Sequence, residues 1–430
     1  PTKADALVEL KKYVALVIMD NRLQRLMNQP DSLLTKAGFS SSIFLNRLGY
    51  TSIYARTSSE HWRQALNILS TALRQAQQFG FGKTELTQAK NEILSQLKKA
   101  VQVADSRKSK TLVSQIINNL NDNKVFLSPE QELALFAPAL EKITLTEVHQ
   151  TFQEMWHARR LVKVMGTTEL QATEERSPED IILTALSKAE EATVSAWKQE
   201  KKAIFPYLPL PKKSGKVANH ISYKDIEAER YVFANGLVLN LKKTDFEPNE
   251  VKVTASLGHG KLVETKPGLA LLTEMLIPES GVGKLTKEQL KEVLAPYSAS
   301  LRFQIAPDSF QLQGRGLQSE SELLFQLLYT QLYDPAFREN AFERGMQRIE
   351  QAYSQMESSV EGMMQLEGEG FLAGGNLRYG AVPFELLKKI TVADIEQWLR
   401  PVFQQSMLEL SVVGDFDPQE ILQFTTCYFG

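Results

Sequence analysis

Cysteine is nearly absent from this chain: its 430 residues contain one, Cys427. A single thiol makes no intrachain disulfide, zinc ribbon or iron–sulfur site. Histidine is scarce too. His61, His149, His157, His220 and His259 are the five, and the nearest two, His149 and His157, stand eight positions apart. The HxxxH and HxxEH pairs that set two imidazoles on one helix face therefore do not occur. Excess charge of either sign is lacking. The 49 Lys and Arg against 51 Asp and Glu leave a net −2, which argues against a general nucleic-acid binder. No run of about 18 apolar residues occurs, the length that reads as a membrane-spanning helix. GxxxxGK[ST] and GxSxG are also missing, which removes a P-loop and a nucleophile elbow from consideration. The opening residues, Pro1-Thr2-Lys3-Ala4-Asp5, carry no signal-peptide pattern and no initiating Met, so a processed or excised chain is expected.

What the chain has is length, apolar content and periodicity. A chain of 430 residues predicts two to four domains, and 43% hydrophobic residues are enough for sizeable cores. Leu7, Leu10, Val14, Ile18, Leu23 and Met27 predict a helix over 5–28. Strands are expected at 39–44 and 50–55, and helices at 60–79, 84–104 (with Thr84 as N-cap), 108–121 and 129–140. Thr144-Leu-Thr-Glu147 reads as a capping box before a helix to Met155. The run Leu161–Met165, ended by Gly166, reads as a strand. Segment 174–202, rich in Glu, Lys and Ala, reads as a solvated helix. It is followed by Phe205–Gly215, where Pro206, Pro209 and Pro211 forbid a regular helix. Residues 171–220 are therefore expected to connect two domains, 1–170 and 221–430. The second is β-rich at its start, with two strands around Asn235-Gly236 within 231–241 and a third at 251–257. Helices are expected at 267–277, 286–294, 319–333, 338–358 and from Thr391. Strands are expected at 298–305, 308–315 and 408–413. The last residues, Tyr428-Phe429-Gly430, are expected to trail off without closing anything.

Two parts of the chain repeat each other. Lys142-Ile-Thr-Leu-Thr-Glu-Val-His-Gln150 matches Lys389-Ile-Thr-Val-Ala-Asp-Ile-Glu-Gln397, 247 positions on. Gly166 answers Gly414, Glu85–Ile93 answers Ala341–Ile349, and helix 60–75 answers 319–334. Four matches in the same order argue for duplicated units, and a period of about 250 residues is far too long for a solenoid. The fold class expected is α+β: two homologous domains, each a sheet packed by several helices.

The stretch Asn235-Gly-Leu-Val-Leu239, then Gly268-Leu-Ala-Leu-Leu-Thr-Glu-Met-Leu276, resembles the pitrilysin/insulinase-type zinc peptidases, which open with an NGL hairpin followed by a GLAHFLEHM-like helix. Val412-Val-Gly-Asp-Phe-Asp417 and Phe79–Ala89 are similar to further segments of that family. The family's motif is an inverted HxxEH plus a later Glu ligand. Laid on this chain, its first His position is Leu271, its second is Met275, and its Glu is Glu274. Leu and Met cannot hold zinc there, so the resemblance implies no catalytic, cofactor-binding or metal-ligating residue in this chain. Glu343 or Glu350 stands near the later ligand position. The resemblance further implies the second and third domains of a four-domain periplasmic peptidase, walling a chamber and binding an extended peptide. Zinc is then expected in the full-length protein, and the first and fourth domains, peptide and further copies are the partners. A naturally inactive partner or scaffold subunit is the alternative.

Other candidates carry bland readings. His259, in Gly258-His-Gly260, reads as a turn residue. Glu154 and His157 read as a surface pair. Gly314-Arg-Gly316 and Gly368–Gly375 read as flexible loops.

Overall fold

The computed structural model describes residues 2–29, 32–44, 48–156, 161–165, 177–198, 203–212, 214–377 and 380–430. The chain divides into two compact units, one of Pro1–Val101 with Lys108–Lys202 and one of Gln102–Arg107 with Ala203–Gly430. The stretch 171–220 is thus shared out between the two units.

The first unit is helical around a small antiparallel sheet. Its elements are α1 (Lys3–Met27), β1 (Lys36–Phe44), β2 (Leu48–Arg56), α2 (Trp62–Phe79), α3 (Lys83–Gln102), α4 (Ser109–Asn121), α5 (Pro129–Lys142), α6 (Leu145–Glu154) and α7 (Pro178–Glu191). β1 pairs β2 from Lys36↔Arg56 to Phe44↔Leu48. One stripe of α1, Val14, Ala15, Ile18, Met19 and Leu23, is sealed against Ala72, Ala76, Ala89, Val148 and Phe152. That stripe is what the 3.6-residue period of α1 foretells.

Three expectations here are corrected. Leu161–Met165 forms no strand; its closing Gly166 lies outside the described residues. Thr84 lies inside the first turn of α3 rather than capping it, and the Glu85 carboxylate accepts the Gly82 amide at 2.8 Å. Segment 174–202 is not one solvated helix. α7 ends at Glu191, Ala189 is buried, and Arg74 donates to the Ala189 carbonyl at 3.1 Å and Gln75 to that of Ser195 at 2.9 Å.

The second unit is built on β3 (Val217–Tyr223), β4 (Ala228–Phe233), β5 (Val238–Lys243), β6 (Glu250–Leu257), β7 (Ser300–Ile305), β8 (Phe310–Leu317) and β9 (Leu408–Gly414). They form a seven-stranded sheet in the order β3-β4-β5-β9-β6-β8-β7. β5 and β9 run parallel and the other neighbours antiparallel. Asn235 and Gly236 make the β4–β5 turn: the Asn235 side chain accepts the Leu237 amide at 3.1 Å, and Gly236 sits at φ 88°. The helices are α8 (Leu269–Ser280), α9 (Lys287–Leu294), α10 (Ser321–Tyr333), α11 (Glu339–Met356), α12 (Val360–Met363), α13 (Glu369–Leu372), α14 (Phe384–Leu387), α15 (Val392–Gln405) and α16 (Pro418–Tyr428). Leu239, Val253, Leu312, Leu324, Phe325 and Leu410 centre the core.

The chain's last residues do close something. Asp417 caps α16, and Tyr428 and Phe429 are buried in this core. Gly314 and Gly316 lie within β8 and not in a loop.

The duplication shows in matched contacts. Thr144 and Glu147 make a capping box at α6, as Thr391 and Asp394 do at α15. In each case a lysine binds the box carboxylate: Lys11 reaches Glu147 at 2.8 Å, and Lys266 reaches Asp394 at 2.6 Å.

Candidate functional site

α8 carries the positions of the family's zinc motif. Gly268 starts it at φ 90°, where a Cβ would come within 2.2 Å of the Leu387 side chain, so both backbone and space require glycine. Leu269, Leu272, Thr273, Leu276 and Ile277 are buried. Leu271, Glu274 and Met275 share the next face by their three- and four-residue spacing.

Glu274 and Met275 have structural occupations and Leu271 faces solvent. Leu271 is 41% exposed. The Glu274 carboxylate accepts the Ile305 amide at 2.5 Å, at the end of β7. Because β7 is an edge strand, this amide has no strand partner on its outer side, and Glu274 supplies the missing acceptor. Met275 lies against Gly345 of α11, where any Cβ would stand 1.8 Å from the Met275 sulfur. α11 thus does face α8, but Glu343 and Glu350 are exposed. Glu279, one turn on, binds Arg348 at 2.9 Å and Lys287 at 2.5 Å. Burial raises its pKa, and these two cations more than reverse that, leaving it below the ordinary carboxylate value.

Three of the histidines, His61, His149 and His220, make hydrogen bonds to other protein groups. His61 bonds Ser58 at 2.7 Å, and His149 bonds the Gln77 carbonyl at 2.8 Å. His220 meets Glu229 at 2.5 Å and stacks on Tyr231 with centroids 4.3 Å apart. His259 is exposed between Gly258 and Gly260, both at positive φ. His157, and with it the pairing to Glu154, lies outside the described residues. Among the described residues no group of three or more His, Cys, Asp or Glu stands together as a metal site would require. No helix among them is long and apolar enough to cross a membrane.

The two edges of the large sheet differ. β7 is blunted at Ile305 by Glu274 and carries Arg302. β3 is exposed along all seven residues, Val-Ala-Asn-His-Ile-Ser-Tyr, with no Asp, Glu, Lys or Arg among them. An edge without charge or covering is open to strand addition. Sequence reasoning placed half of β3 in the connector, although its Val217, Ile221 and Tyr223 sit at strand spacing.

Sequence reasoning also missed a buried ion pair. Arg22 of α1 is 1% exposed and grips Glu85 of α3 through two bonds of 2.7 and 2.8 Å. It also donates to the Gly80 carbonyl at 2.9 Å. Its guanidinium lies over Phe81 and Trp197, at 4.8 and 5.1 Å from the ring centroids, and its Nη1 has no hydrogen-bond acceptor among the described residues.

No protein-family model matches the sequence. The probable zinc protease PqqL of Escherichia coli (strain K12) is 25% identical over 343 residues, covering 77% of this chain and 36% of that protein. The chloroplastic stromal processing peptidase of Arabidopsis thaliana is 22% identical over 233 residues, 52% of this chain and 18% of that protein. A crystal structure of the ferredoxin protease FusC with Arabidopsis ferredoxin aligns over 98% of this chain and 47% of its own, with TM-score 0.60 and 18% identity. The chain therefore spans about a third, a fifth and a half of these three proteins. With α8 holding the motif positions in the order Leu271, Glu274, Met275, the chain is similar in sequence to these peptidases and shares the fold of the FusC protease.

Proposed function

We propose that this chain is a noncatalytic part of a zinc endopeptidase that degrades or processes peptides. In that protein it supplies chamber wall and a surface for extended peptide, while the zinc site stands in a domain upstream of these residues. The observation that carries the reading is the state of the motif on α8. The carboxylate that would activate water is bound to the Ile305 amide, and an isobutyl group and a thioether stand where imidazoles would hold the metal. The peptidase relatives support the peptide-directed half of the reading. Peptide would add along β3, the uncharged and uncovered edge. A fourth family domain and a periplasmic setting belong to the same reading.

The test compares this chain with a form extended upstream by one domain, in zinc content and in cleavage of unstructured peptides. Only the extended form should hold one zinc and cut. Zinc loading and cleavage by this chain alone would overturn the reading. An inert pair would make the protein an inactive partner subunit instead. Ile221→Lys on β3 should weaken peptide binding severalfold, because a charge there opposes strand addition.

A further inference from the structure

We infer that the helical run from Val360 to Leu372 is a docking surface for peptide segments that combine apolar and basic side chains. This deepens the peptide-binding reading above, since it names the substrate class, and it uses a surface apart from both α8 and β3.

The run is α12, a π-helical turn (Met364–Gly368) and α13 in unbroken succession, capped by the Ser359 hydroxyl on the Gly362 amide at 3.0 Å. The glycines that make its sequence look like a loop do not prevent the helix. Met364 lies back over Gly368, where a Cβ would come within 2.2 Å of its sulfur. Its apolar side chains face outward: Val360 is 84% exposed, Phe371 83% and Met364 53%, with Met363 and Leu372 also exposed. Large apolar groups gathered on one short helical run mark an interaction surface; single exposed ones do not.

The chemistry of the occupant follows from the charge around these groups. Along the sequence from 349 to 377 there is no Lys or Arg, while Glu357, Glu361, Glu367 and Glu369 occur there; Glu350 occurs too but is within the field of Lys388. Glu361, Glu367 and Glu369 are exposed on the run itself. An apolar face set among carboxylates complements a basic, apolar segment and repels an acidic one. It also disfavours an anionic lipid surface, to which interfacial helices bind through Lys and Arg. Met363 and Met364 are unbranched and polarizable and adapt to different partner side chains, so the surface selects composition and not one sequence.

The test uses the full chain and three fluorescein-labelled unstructured peptides of equal apolar content, one with Lys and Arg, one with Ser and one with Glu at the remaining positions. Affinity is read by fluorescence anisotropy. The basic peptide should bind about tenfold more tightly than the serine peptide, the sum expected of a few exposed charge pairs, and the margin should shrink as salt rises. The triple variant Glu361→Gln, Glu367→Gln, Glu369→Gln should erase the preference for the basic peptide. Met364→Ser with Phe371→Ser should weaken all three peptides. These side chains are exposed, so an unchanged melting temperature should accompany the loss. If the variants bind as the parent does, or the parent shows no preference, the inference is overturned, and the β3 reading stands or falls separately on Ile221→Lys. If basic peptide binds through this run while Ile221→Lys changes nothing, the inference stands and the β3 edge is the part that fails.

Discussion

Each unit ties a pair of helices together with opposite charges, and the two units do it differently. In the first, Arg22 on α1 meets Glu85 on α3, with side chains 2% and 6% exposed. In the second the signs are exchanged: Glu279 on α8 meets Arg348 on α11, and the arginine side chain is 35% exposed. Lys287 shares the same carboxylate. The first pair is an enclosed contact with aromatic walls, and neither member can return to water if the other is lost. The second is an open cluster whose cations can be rehydrated. Duplicated architecture therefore does not imply duplicated energetics: what matters is whether water can reach the partner left behind.

The largest effect expected from breaking this comparison is at Glu85. Glu85→Gln strands a buried guanidinium and should destabilise the first unit by about 3–5 kcal/mol. Hydrogen exchange read by mass spectrometry would show it as lost protection in α1 and α3, with the second unit's peptides unchanged. Replacing Arg22 and Glu85 together by Met and Leu should recover most of that loss. If Glu85→Gln alone left exchange unaltered, the enclosure of this pair would count for nothing.

The second effect lies at the motif. Glu274→Ala removes the acceptor from the Ile305 amide and should cost about 1–3 kcal/mol if that amide stays unmet. Glu274→Gln keeps an acceptor oxygen at the same reach and should cost less. Exchange at Ile305 itself is the readout, and equal rates in the two variants would refute the edge-capping role. Third comes Glu279→Gln. Both cations around it are more than a third exposed, and the expected cost is about 1 kcal/mol or less, well below that of Glu85→Gln. A cost as large as at Glu85 would erase the contrast between the units.

How much of this the sequence discloses follows from range. The capping boxes at Thr144 and Thr391 are legible because cap and partner are three residues apart. The strands at 231–257 and 298–315 are legible from alternation, and the motif positions on α8 from the family pattern. Arg22 and Glu85 are 63 positions apart, and neither residue type announces burial, so nothing local points to their pairing. Glu274 could be read as a relict, but its bond to Ile305 depends on where β7 ends. The helix at 360–372 was hidden by its glycines, and α16 by its closeness to the last residue. In both, apolar spacing was present and was outweighed by composition.

The smallest effect tests the feature that the two units share. Thr144→Ala and Thr391→Ala each remove a cap hydroxyl and should each cost about 1 kcal/mol, in the first and second unit respectively. Acid sharpens the test. Glu147 is held down from 4.5 to about 2, first by its bond from Lys11 and then by the Thr144 amide and hydroxyl. Asp394 is lowered too, first by Lys266 and then by the Thr391 amide. A carboxyl whose pKa is lower folded than unfolded adds stability above its unfolded pKa and loses it as the pH falls through the folded one. The Glu147 contribution should therefore be whole above about pH 4.5 and fade toward pH 2. The Glu147 and Asp394 side chains are 38% and 21% exposed and their lysines 32% and 50%, so water reaches both pairs and the effect is small and screened by salt. Lys11→Met should move the fading of the first unit's cap to higher pH, and Lys266→Met should do the same for the second. The ring and methyl resonances of each unit, followed through an acid titration, would report the two separately. A shift in one unit without a matching shift in the other would mean that the repeated lysine–carboxylate contact has kept its geometry in both copies but its energetic role in only one.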